Sequence, residues 1–267
     1  MPFTLAHVAA AMPLRRSRLI LSALIVGTMA PDFEYFVRLR PGGGWGHTIP
    51  GAFGLSLPLG LAVLWLFHSF AKAPAVALLP QGVQRRLGRS LLPFRFLGMR
   101  RFLMILLSLL VGIATHLAWD SFTHSRGWFY HHFGLLHRHV VLPWLHRMSV
   151  YTFLQIFSSV AGVLILWLWL RSWYRATPPG PLPLLNGLPR SQKTLVRAAI
   201  LALSVGGGVL RGYLNTGIPH NRYKIDDFIG SAVVAIGALL WWQLVAWGAL
   251  MRVGATRSAP QSEPTTR

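Results

Sequence analysis

Residues 102–124 read FLMILLSLLVGIATHLAWDSFTH. Positions 102–119 contain no Asp, Glu, Lys or Arg, and an apolar run of about 18 residues is long enough to cross the hydrocarbon core of a bilayer as a helix. The run ends on polar groups. At 3.6 residues per turn, His116, Asp120 and His124 stand at i, i+4 and i+8 and fall in one narrow stripe. Three further blocks, 41–71, 148–170 and 228–251, are equally free of charged residues. A fifth, Ala198 to Leu210, holds the flexible run Gly206-Gly207-Gly208 and is extended by Arg197 and Arg211, whose stems can snorkel to the interfaces.

Composition agrees with these blocks. Of 267 residues, 53% are hydrophobic and 12% charged, against about a quarter charged in a soluble domain. There is too little charge to cover a water-facing surface. The expected fold is therefore all-α: a polytopic helical membrane protein with about five transmembrane helices and an N-terminal helical hairpin. The formal net charge of +20 would suit nucleic acid, but the basic residues flank the apolar blocks. That placement points instead to a lipid bilayer with anionic headgroups as partner. The chain has no cysteine, so any metal site must be built from His and carboxylate.

Residues 4–13 and 17–30 read as two short helices joined at Pro13-Leu14-Arg15-Arg16, with Ser17 as N-cap and Pro31 ending the second. A hairpin of this kind brings its open ends together, His7 near Asp32. Residues 33–46 read as a loop, since Pro41-Gly42-Gly43-Gly44 is irregular. The first long span covers 51–71. Loop 72–101, with seven Lys or Arg, goes to the cytoplasm by the positive-inside rule, and 120–150 to the opposite face. Arg15, Arg16 and Arg18 at the hairpin tip sit awkwardly with a site facing outward. Residues 1–255 read as one membrane-embedded domain, and the polar tail 256–267 as disordered.

The chain has six acidic residues, so an acid beside an apolar block needs a reason. His116, Asp120 and His124 together offer imidazole nitrogens and a carboxylate, the donors that suit zinc or a similar divalent ion. The alternative is a pair of satisfied interface histidines, with Asp120 capping or pairing with Arg126. Asp32 and Glu34 lie just past a helix end and His47 at the start of the first long span; each also reads as solvated loop, interface or cap. His131, His132, His137, His139 and His146 fall in an aromatic and basic stretch, Trp128 to Arg147, that reads as an amphipathic segment at the headgroup layer. His68 reads as interfacial, and Asp226 and Asp227 as caps of the last span.

The stretches Pro2-Phe3-Thr4-Leu5-Ala6-His7, Met29-Ala30-Pro31-Asp32-Phe33, His47-Thr48-Ile49-Pro50-Gly51 and Thr115 to His124 together resemble a bacterial integral membrane family of unknown function. That family is itself similar to membrane-bound metal-dependent hydrolases distantly related to zinc-dependent phospholipase C. The match runs in order from residue 1 to about 250. The resemblance implies Asp32, His47, His116 and Asp120 as metal ligands, with His7 and His124 in the family's own motifs. Glu34 stands where the hydrolases carry a second Asp.

Two functions compete at this point. One is a membrane-bound metal-dependent hydrolase of the bacterial cytoplasmic (inner) membrane. Its metal ligands would be His7, Asp32, His47, His116, Asp120 and His124, its catalytic carboxylates Asp32, Glu34 and Asp120, its cofactor a divalent metal (Zn, with Mn or Mg as alternatives), and its substrate a lipid or lipid-linked phosphoester. The other is a non-catalytic membrane protein, a metal or proton transporter or a structural factor, using the same cluster. A transporter would be expected to show internal repeats and mid-membrane polar groups. The sequence has no repeat.

Overall fold

Among the described residues five helices are long and apolar enough to cross a membrane: Ile49–Leu78, Met99–His132, Val150–Ala176, Ser191–Thr216 and Arg222–Val253. The computed structural model describes residues 4–42, 44–142, 145–181 and 190–257. Pro2 and Phe3 of the first motif lie outside the described residues, and so does the polar tail beyond Arg257, whose Thr256 and Arg257 end the last helix. The chain packs as two units, residues 1–64 with 94–178 and residues 65–93 with 179–267.

In the first unit the N-terminal segment departs from two plain helices. Thr4–Ala11 and Pro13–Arg16 are 3-10 turns, and the α-helix that follows covers only Leu21–Gly27. Ser17 does not cap it. Its backbone is extended, and its hydroxyl donates back to the Leu14 carbonyl. The amide of Ile20, left without a partner in apolar surroundings, donates to Ser108 Oγ at 2.9 Å, so a neighbouring span supplies the acceptor that no local cap provides. Pro31 does not end a helix either: it opens a short turn, Ala30–Asp32, where its missing N–H costs nothing. Residues 33–46 hold a helix, Phe33–Arg38, before the irregular stretch begins.

Leu21–Gly27 lies along Met99–Thr123 with both running in the same direction, Ile20 beside Ser108 and Thr28 beside His116. The approach needs glycine on both sides. A Cβ on Gly27 would stand 2.3 Å from the Leu109 carbonyl oxygen, and one on Gly112 would stand 2.5 Å from that of Leu24. Small residues let membrane helices come this close, where packing replaces the hydrophobic drive. Around the contact Ala23, Leu64, Ile105 and Leu109 form a buried cluster.

The first long helix begins at Thr48, whose hydroxyl accepts from Gly51 N at 3.0 Å, and runs to Leu78, past the expected end at 71. It contains two π-helical turns, Ala52–Ser56 and Phe67–Ala71. The stretch after the second span is not one amphipathic segment. It is a helix, Trp128–His132, a 3-10 turn, Gly134–His137, and an antiparallel pair, His139–Leu142 with Leu145–Ser149. His132 bonds the Trp128 carbonyl and His137 the Tyr130 carbonyl; the side chain of His146 lies outside the described residues.

In the second unit Arg190–Thr216 and Arg222–Arg257 pack antiparallel. Asn215 donates to Ser231 at 3.1 Å and Gln243 to Ser204 at 2.8 Å, while Gly207 and Gly208 face Leu239 and Ile236. Two of the three glycines of the run are thus packing positions, and Gly206 faces open space. Asn221 Oδ1 accepts from Lys224 N and caps the last helix, which leaves Asp226 and Asp227 inside its second turn. Lys72 lies within the first long helix and donates to the Leu92 carbonyl.

Candidate metal centre

His116 and Asp120 sit one turn apart on Met99–Thr123 and are both buried. Nδ1 of His116 lies 2.8 Å from the Thr28 carbonyl oxygen. A carbonyl can only accept, so Nδ1 carries a proton and Nε2 is the atom turned to the carboxylates. Nε2 then stands 3.3 Å from Asp120 Oδ2 and 3.7 Å from Asp32 Oδ1. Two distant sequence segments thereby meet.

Asp32 arrives on the turn that closes the hairpin. Its Oδ2 accepts from Thr4 Oγ1 at 2.6 Å, and its Oδ1 faces the histidines. His47 comes from the turn before the first long helix. Its Nε2 lies 3.3 Å from Asp32 Oδ1, 3.4 Å from Asp120 Oδ2 and 3.3 Å from His116 Nε2. Tyr35 stacks on the His47 ring with centroids 5.6 Å apart. His7 stacks on His116 at 3.9 Å and brings its Nε2 to 3.5 Å from Asp120 Oδ1. Asp120 thus turns one oxygen to each of two imidazole groups.

Donors held around one ion at about 2.0–2.1 Å in tetrahedral geometry stand about 3.3–3.4 Å apart. The two Nε2 atoms and their contacts with the carboxylates, at 3.3–3.7 Å, match that spacing. His7, His116 and Asp120 form one group able to hold a metal ion, and Asp32, His47 and His116 form another. Oδ1 of Asp32 and Oδ1 of Asp120 are buried and accept no hydrogen bond. Buried carboxylate oxygens are costly to leave in that condition, and a cation satisfies them.

The electrostatics follow from this crowding. Burial, reinforced by the neighbouring His116, pushes His7 down to about 4, so its ring is neutral and its lone pair available. Burial also acts to lower His47, but the Asp120 and Asp32 carboxylates beside it prevail and raise it to about 9. Burial alone would raise Asp32; the neighbouring His47 and His116 rings and the Thr4 hydroxyl hold it below the usual carboxylate range. Without an ion, the proton on His47 supplies the positive charge between the two carboxylates.

Of the two remaining candidates, His124 borders the cluster and Glu34 stands apart from it. The helix ends at Thr123, so His124 leaves the stripe; its Nδ1 lies 3.1 Å from the Asp120 carbonyl oxygen and 3.6 Å from Asp120 Oδ2, at the rim. Glu34 pairs with Arg38 at 2.7 Å and accepts from Gly46 N at 3.1 Å. It belongs to neither metal-capable group. It clamps the turn that carries His47, at a point where a Cβ on Gly46 would stand 2.7 Å from the Pro31 carbonyl oxygen. Asp120 pairs with histidines and not with Arg126. Sequence reasoning gave no role to Thr4, to Tyr35 or to the Thr28 carbonyl, although the first two lie in or beside the quoted motifs.

With this geometry in view, the family is decided by a match to the domain of unknown function DUF4184 over residues 1–249. The chain belongs to that family. No curated protein and no solved structure matches it. The DUF4184 match covers all four motifs and every donor described above.

Proposed function

We propose that this DUF4184 protein is a multi-pass enzyme of the bacterial cytoplasmic membrane that hydrolyses a lipid or lipid-linked phosphoester with the aid of a divalent metal. The observation that carries the reading is the meeting of two imidazole nitrogens and two carboxylates, with imidazole–imidazole and imidazole–carboxylate distances of 3.3–3.7 Å and a buried oxygen on each carboxylate that accepts no hydrogen bond. Asp32, His47, His116 and Asp120 would hold the ion, zinc by the chemistry of the donors. When bound, such an ion supplies Lewis acidity toward the phosphoryl group and lowers the pKa of water.

The chain's own residues supply the rest. Oδ1 of Asp120 with the neutral His7 ring beside it offers a proton acceptor next to the ion site. Thr4 and the Thr28 carbonyl fix the orientation of Asp32 and His116. The site opens on the side of His47 and His124, whose side chains are 19% and 29% exposed, while those of His116 and Asp32 are 0% and 1% exposed. Trp45 and Trp119, close in sequence to His47 and Asp120, are about half exposed, as aromatic side chains at a membrane interface are.

The test is metal analysis of the detergent-purified chain, joined to phosphodiesterase assays. Wild type should carry about one divalent ion per chain and cleave a short-chain phospholipid or chromogenic diester, and His116→Ala and Asp120→Asn should lose both. Metal without hydrolysis would favour transport or a structural role. Absence of metal from wild type would end the reading.

A further inference from the structure

At the opposite end of the second span from the His/Asp cluster lies a cleft of about 500 Å³ lined by Arg18, Ile20, Gly98, Met99, Arg100, Arg101 and Met104. It is assembled from two distant segments. Arg18 follows the hairpin tip, and Arg100 and Arg101 open the helix Met99–Thr123. Ile20, tied to Ser108 by its amide, fixes the tip against the helix.

The three guanidinium groups are permanently charged, and no residue lining the cleft is acidic. The other carboxylates of this unit are engaged elsewhere: Asp32 and Asp120 face histidines and Glu34 pairs with Arg38. Arg101 is held in place, its Nε donating to the Arg95 carbonyl and its guanidinium lying over the Phe94 ring. Like charges gathered in one cleft repel unless an anion joins them, and among the described residues no carboxylate lines it. The nearby first amides of the helix also favour negative charge.

We propose that this cleft binds a phosphate anion, carried by an acidic phospholipid headgroup or free in solution, at the face of the membrane opposite the metal-type donors. Arginine forks match phosphate oxygens bidentately, and the mixed lining of guanidinium with Ile20, Met99 and Met104 suits a headgroup with the start of its acyl chain.

The full-length protein in a neutral detergent is titrated with dihexanoyl phosphatidylglycerol, dihexanoyl phosphatidylcholine and inorganic phosphate, and thermal unfolding is read at each concentration. Saturable stabilisation is expected with the anionic lipid and little with the zwitterionic one. An equal response to inorganic phosphate assigns the site to the free ion, and a response to the lipid alone assigns it to the headgroup. Arg18→Gln with Arg100→Gln should weaken the apparent affinity about tenfold or more, whereas Arg15→Gln with Arg16→Gln, the same loss of charge outside the cleft lining, should change it less than about twofold. The exposed single variant Arg18→Gln gives the same reading if the double variant does not fold. No saturable response to either anion, or equal losses in the two double variants, would overturn the proposal.

Discussion

Thr4 touches nothing that reacts, yet its hydroxyl at 2.6 Å from Asp32 Oδ2 decides which carboxylate oxygen faces the histidines. Such supporting bonds are typically worth 10–100-fold in metal affinity. Thr4→Val should therefore weaken zinc binding by about that factor while leaving the fold intact, as chelator competition would show. Asp32 and Glu34 make a sharper contrast. They are two residues apart and equally acidic, but one aims at the cluster and the other is committed to Arg38 and Gly46. Asp32→Asn should abolish stoichiometric metal, and Glu34→Gln should keep it. Loss of metal in Glu34→Gln would place that carboxylate back among the ligands. The sequence made both residues candidates because it shows proximity along the chain and not the direction of a side chain.

At the scale of elements, the contact between Leu21–Gly27 and Met99–Thr123 holds the cluster together, because the helix end at Thr28 carries the carbonyl that orients His116. Gly112→Ala inserts a methyl group where the Leu24 carbonyl oxygen stands. Overpacking of this kind costs roughly 1–3 kcal/mol, and it should separate Thr28 from His116. Lower thermal stability in detergent, together with weaker metal binding, is the expected pair of results. A stable variant with unchanged affinity would show that the two helices adjust independently of the site. The 3.6-residue period correctly placed His116 and Asp120 on one face of the span. His124 lies one residue past the helix end, with its ring still 3.6 Å from Asp120 Oδ2; at residues 17–30 the expected Ser17 cap gave way to a hydroxyl from another span.

At the scale of the whole molecule, the first unit resolves the conflict posed by the basic hairpin tip. Arg18 lies beside Arg100 and Arg101, whereas Thr28 and Asp32 lie beside His116 and Asp120. Arg101 and Asp120 are 19 residues apart on one helix, roughly 28 Å at 1.5 Å per residue, close to the thickness of the hydrocarbon core. The N-terminal segment thus follows the span along most of its length, with its basic tip at one end and the cluster at the other. The positive-inside rule predicts the tip in the cytoplasm and the cluster at the other face. Since the chain has no cysteine, single cysteines at Arg16 and Arg95 should resist an impermeant thiol reagent in intact cells, and one at Ser125 should react. The reverse pattern would turn the protein over.

The sequence by itself determined the membrane-capable helices, because four of the five follow from uninterrupted apolar length, a property that local composition carries. It also marked His116 and Asp120 as donors, because ionisable groups beside apolar blocks are few and costly, while the choice of Asp32 and His47 came from the family resemblance. Tertiary structure alone decided that His7, Asp32 and His47 reach the second span, which orientation each carboxylate takes, and that the basic tip and the cluster lie at opposite ends of one helix. Those outcomes depend on the glycine contact of Gly27 and Gly112, on the bond from Ile20 to Ser108 and on the Thr28 carbonyl. Each joins residues more than 80 positions apart, beyond the reach of any local periodicity.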